Sequence, residues 1–148
     1  MDQNYLPEKA VRMAETGRYS EALRIFKKNV LSTLSPSEQS IYALCKALVE
    51  KEYDYAVNLC ISAAAKEFYN PDIYLNLGKT LVMSGRKTRA LKAFRKGLRF
   101  DEHNELLIAE IKKLGRRRAP AISFLPRGNV INKFFGILSH RVSAVSSS

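Results

Sequence analysis

The chain has 148 residues, one domain's worth, of which 46% are hydrophobic and 26% charged, the ordinary mix of a soluble folded protein. Its first residues, Met1-Asp2-Gln3-Asn4, carry neither a basic cluster nor an apolar run, and no stretch reaches bilayer length, so a cytoplasmic protein without secretory signal or membrane span is expected. The net charge of +11 is uneven: residues 1–111 hold 17 Lys and Arg against 14 Asp and Glu, whereas residues 112–148 hold 8 basic residues and no acidic one.

Punctuation and apolar spacing predict helices over 5–16 and 20–31, with Gly17 in the turn between them. Ser35-Pro36-Ser37-Glu38 has the form of a capping box with proline at the first helical position, opening a helix over 36–50. That helix is apolar on nearly all sides, from Ile41 to Val49, so it must be covered by its neighbours, by a ligand or second subunit, or by the chain's own tail. A helix over 54–66 follows; Asn70-Pro71 opens one over 71–84, and Gly85 marks the turn into one over 87–100. Asn104 to Leu114, with Leu106, Leu107, Ile111 and Leu114 on one side, reads as a terminal capping helix, and Gly115, Pro120, Pro126 and Gly128 are expected to break any continuation.

A 34-residue period links the pairs. Ala22, Ala56 and Ala90 share one register, each followed by an aliphatic residue and, four residues on, by Phe26, Cys60 and Phe94. A fixed period of this length marks stacked two-helix units that cannot bury their apolar faces alone. The unit from Pro71 to Asn104 resembles the tetratricopeptide repeat (TPR): Tyr74 stands at its bulky aromatic, Leu77-Gly78 at its leucine-plus-small pair, and Leu81, Gly85, Ala90, Phe94, Gly97 and Leu98 at its remaining signature sites. It ends on Asp101-Glu102 where the family often has Asp-Pro. The first unit keeps Ala10, Gly17, Tyr19, Ala22 and Phe26 but has Leu6 and Lys9 at the aromatic and leucine sites. The second keeps Tyr53, Ala56 and Ala63 but places Ser40 and Lys51 where the family prefers an aromatic and a glycine.

The resemblance implies an all-α, right-handed superhelical solenoid of antiparallel helix pairs over residues 3–114, followed by a basic, apolar tail over 115–148. It also implies a concave groove lined by the first helix of each pair, carrying Val11, Glu15, Ile41, Cys45, Leu48, Val49, Leu75, Lys79, Val82 and Met83. Some members of the family grip acidic chaperone tails with a clamp of Lys, Asn and Arg. The matching sites here are Pro7, Val11, Tyr42, Asp72 and Asn76, and only Asn76 can donate, so that clamp is absent.

Two further features bear on function. Arg89, Lys92, Arg95, Lys96 and Arg99 occupy one sector of the 87–100 helix and, with Arg116, Arg117 and Arg118, form a basic stripe that is either a solvated face or a seat for an anionic surface or nucleic acid. In the tail, Phe124 and Leu125 precede a short helix expected at 129–141 with Ile131, Phe134, Phe135 and Leu138 on one side, a set too apolar to stay solvated, which should dock on the body or on a partner. His103 and His140 lack metal-ligand companions, and no phosphate-cradling loop or activated nucleophile is visible. The sequence therefore reads as a non-enzymatic protein-binding adaptor without cofactor or metal; the alternative is a ribosome- or nucleic-acid-associated factor.

Overall fold

A computed structural model describes the backbone of residues 5–123 and the side chains of residues 6–116. Within it the chain forms α1 (Tyr5–Glu15), α2 (Tyr19–Phe26), a 3-10 turn (Leu31–Thr33), α3 (Pro36–Glu50), α4 (Tyr53–Lys66), α5 (Pro71–Met83), α6 (Lys87–Phe100) and α7 (Glu105–Ser123). Among the described residues there is no strand, and no helix is long and apolar enough to cross a membrane. The chain divides into two compact units at Ile111, three residues earlier than the expected boundary; the first holds α1 to α6 and the start of α7.

Local chemistry sets the helix ends. Ser35 accepts from the Glu38 amide at 3.2 Å while the Glu38 carboxylate accepts from the Ser35 amide at 2.7 Å, completing the expected capping box. Asn70 caps α5 by accepting from the Asp72 amide. Gly17 and Gly85 adopt φ of 81° and 80°, and in both turns the glycine and the arginine after it donate back into the preceding helix, satisfying two of its last carbonyls. In the second unit Lys51 takes this left-handed conformation, at φ 61°, without glycine's freedom.

Two helix ends differ from expectation. α2 stops at Phe26 rather than near residue 31, because the Asn29 side chain donates to the Ile25 carbonyl and the chain turns into the 3-10 segment. α7 does not end at Leu114 but runs through Gly115 and Pro120 to Ser123. Arginine and alanine around these residues are strong helix formers, and Pro120, in the last turn, forfeits only one hydrogen bond.

The phase of the repeats is visible in the packing. Ala22, Ala56 and Ala90 are all completely buried, as are Cys60 and Phe94, with Phe26 nearly so. The first helices α1, α3 and α5 pack side by side in one layer, and each second helix packs on its own partner, with α2 and α4 also reaching the first helix of the next unit. Small residues permit the closest crossings. A Cβ at Gly78 would land on the ring of Phe94, and one at Gly97 would come within 2.7 Å of Leu107 and 3.1 Å of Tyr74. Where the second unit lacks the family's aromatic, the buried Ser40 hydroxyl donates to the Ser37 carbonyl and accepts from the Asn76 amide of the next unit at 2.9 Å.

Two stability predictions follow from this geometry. Gly78→Ala should lower stability by about 1–3 kcal/mol through overpacking against Phe94, although alanine is the better helix former. Trimming the ring in Gly78→Ala/Phe94→Leu should cost less than the two single changes added together; strict additivity in urea melts would contradict the contact. Conversely, Lys51→Gly should raise stability by about 0.5–1 kcal/mol by relieving the left-handed lysine. A lower urea midpoint for Lys51→Gly would show that the lysine is not strained there.

Candidate functional site

Helix α5 presents two opposed faces. Leu75, Lys79, Val82 and Met83 lie on the side assigned to the groove; Tyr74, Leu77 and Leu81 lie about 150° away at 100° per residue. The groove side offers less than the sequence suggested. Cys45 is 0% exposed and Leu75 only 6%, so both belong to the interior and present nothing to a partner. Cys45 joins the core formed by Ala10, Ala14, Ala22, Leu23, Phe26 and Leu34, and Val11 and Ile41 pack half-buried against that cluster. Leu48, Lys79, Val82 and Met83 are half-buried, Glu15 is exposed, and Val49 is 39% exposed. Helix α3 is covered chiefly by its neighbours, since α1, α2, α4 and α5 all pack on it.

The opposite face of α5 floors an open cavity of about 710 Å³. One wall is α4, through Ile61, Ala64 and Ala65, continued by Phe68. The floor is Tyr74, Leu77 and Leu81 of α5 with Ala93 of α6, and the far edge is Arg89, Lys92 and Lys96 of α6. Each helix contributes residues at three-, four- or seven-residue spacing, a stripe along its axis. The cavity exists because α4 and α6 both pack on α5 while leaving the space above it open. Its volume lies in the range of sites that seat several side chains of a ligand.

At one end of this trough Phe68 and Tyr69 are each 60% exposed and Phe100 42%. Phe68 meets Tyr69 and Phe100 edge-on, with ring centroids at 5.5 and 6.2 Å, and Phe100 stacks on Tyr74 at 5.8 Å. The Tyr74 hydroxyl donates to the Phe68 carbonyl at 2.6 Å, fixing the loop that carries the aromatics.

Electrostatics sharpen the contrast between the two sides of α6. Some cations of the body meet carboxylates: Lys27 pairs with Glu50, Arg86 with Asp54, and Lys46 with both Glu50 and Glu52 at 3.1 Å. Burial opposes the Lys46 ammonium, but its hydrogen bonds to Glu52 and Glu50 outweigh that and hold its pKa above the usual lysine value. Arg89, Lys92, Arg95, Lys96 and Arg99 are all exposed and form no ion pair among the described residues; Lys96 lies 5.4 Å from the Tyr74 ring centroid. Only three of the five, Arg89, Lys92 and Lys96, face the trough. Arg116 is exposed, whereas the side chains of Arg117 and Arg118 lie outside the described residues. So do the expected 129–141 helix and Phe124, Leu125, Ile131, Phe134, Phe135 and Leu138.

Neither cysteine is a ready nucleophile. Burial pushes both the Cys45 and Cys60 thiols up to about 12, so neither is a thiolate near neutrality. Among the described residues no group of three His, Cys, Asp or Glu is placed to hold a metal ion.

Sequence reasoning found the basic edge of the trough but not the trough. Its signal was a second apolar stripe on α4, Ile61-Ala64-Ala65, continued by Phe68 and distinct from the core stripe Ala56-Val57-Cys60-Ala63.

No protein-family model matches the sequence, and no curated protein matches it significantly. Solved structures do. The first TPR domain of human RPAP3 superposes with a TM-score of 0.65 at 20% identity, over 80% of this chain and 93% of that one. The first TPR of Spaghetti (RPAP3), bound to the HSP90 peptide SRMEEVD, gives 0.62 at 20% identity, over 79% and 95%. The fold is a TPR-like helical solenoid.

Proposed function

We propose that this chain is a non-enzymatic adaptor that binds a protein partner, and that the open trough between α4 and α6 is a principal docking surface. The observation that carries this reading is an apolar concavity of about 710 Å³ continuous with exposed Phe68. Aromatic and arginine side chains are the types that dominate binding energy at protein interfaces. A cytoplasmic location accompanies this reading, since Cys45 and Cys60 are free thiols.

The mode of the peptide-bound neighbour does not transfer. At the matching clamp sites Pro7 is buried, and the Asn76 amide is committed to Ser40 at 2.9 Å inside the core. Asp72, exposed at another clamp site, would repel a carboxylate. A second reading, nucleic-acid or ribosome association, draws support from the exposed cations Arg89, Lys92, Arg95, Lys96 and Arg99 of α6, which form no ion pair among the described residues.

Affinity capture from the source cell separates these readings. The adaptor reading expects a protein captured by the full chain to survive ribonuclease treatment and to be lost with Ile61→Asp/Phe68→Asp, whose thermal melt should stay close to wild type because both residues are exposed. Capture that ribonuclease abolishes, or that is indifferent to the double change, would contradict it.

A further inference from the structure

We infer that the occupant of the trough is an acidic amphipathic segment of a protein partner, seating large apolar side chains against α4 and carboxylates along Arg89, Lys92 and Lys96. The inference rests on the adaptor reading and adds the chemistry of the ligand.

The two long sides of the trough ask for different things. Ile61, Ala64 and Ala65 offer only hydrocarbon, with no charge and no side-chain hydrogen bond. The opposite edge offers three cations within two helical turns, about 10 Å of axis. A ligand that satisfies both must itself be divided lengthwise, apolar on one side and anionic on the other. The cations repel one another at these spacings, and no carboxylate among the described residues relieves them, in contrast to Lys27, Lys46 and Arg86. An anionic ligand would be the first group to supply their counter-charge. The 112–148 segment, with eight basic residues and no acidic one, cannot supply it.

A nucleic acid fits this surface less well. Phosphates would meet the cations but leave the aliphatic wall facing polar groups. Base stacking on the trough floor is closed off, since the buried Tyr74 ring is stacked on Phe100, interplanar angle 9°, with the Lys96 ammonium near the same ring. The exposed cluster of Phe68, Tyr69 and Phe100 at the trough's end instead offers an anchor for an apolar or aromatic side chain of the partner.

Three synthetic peptides of equal length test this on the full chain by fluorescence anisotropy. All carry leucine and phenylalanine at i, i+3, i+4 and i+7; the remaining positions are filled with glutamate, glutamine or lysine. The glutamate peptide should bind at least about tenfold more tightly than the glutamine peptide, and the lysine peptide should bind most weakly. Lys92→Glu/Lys96→Glu should invert the order so that the lysine peptide binds best, a result that misfolding cannot mimic. Ile61→Asp should weaken the glutamate peptide by about tenfold or more. Equal affinity for the glutamate and glutamine peptides would overturn the inference while leaving the trough as a protein-docking surface. Failure of all three to bind would remove both readings. Displacement of the glutamate peptide by oligouridylate, itself lost in Lys92→Glu/Lys96→Glu, would assign the edge to nucleic acid and overturn the inference as well.

Discussion

The ring of Phe94 occupies the space that a side chain at position 78 would fill, and much of the third unit depends on that contact. It draws α6 down onto α5 at the level of Gly78. One helical turn away, Gly97 makes room for Tyr74 and Leu107, which seats the start of α7. With Tyr74 held there, its ring stacks on Phe100 and its hydroxyl fixes the Phe68 carbonyl. The floor of the trough and the aromatic cluster at its end are thus consequences of a crossing that only very small residues allow.

That crossing also explains why apolar surface stays uncovered. The first helices α1, α3 and α5 lie side by side and bury their flanks on one another, whereas α4, packed on α3 and α5, and α6, packed on α5, leave space between them. Covering Ile61 or Phe68 would require another element over α5. Ile61 and Phe68 keep 42% and 60% of their surface exposed, apolar area whose removal from water would be favourable. The body's ion pairs are mostly exposed, so water and salt screen them and they add little to stability.

Features encoded within a few residues, or by strict period, were legible in the sequence. The capping box at Ser35, the asparagine cap at Asn70, the left-handed turns at Gly17 and Gly85 and the register of Ala22, Ala56 and Ala90 all stand where the pattern placed them. Features decided by competition between local and tertiary terms were not. Asn29 ends α2 early through a single side-chain bond, and α7 continues past Gly115 and Pro120. Cys45 and Leu75 fell on the assigned groove side of their helices, yet packing between helices removed them from the surface. The trough is a gap between helices, and a gap leaves no local signature beyond a second apolar stripe on α4.

The central claim is that partners dock on the second-helix side of the solenoid, and site-specific photocrosslinking in the source cell tests it most directly. A benzophenone side chain would be placed in turn at Ile61, at Phe68, at Val49 on the groove side and at exposed Val30 as a control. The account predicts a discrete protein adduct from positions 61 and 68 that is absent from positions 49 and 30. Adducts from position 49 alone would contradict it and return the binding surface to the first-helix groove.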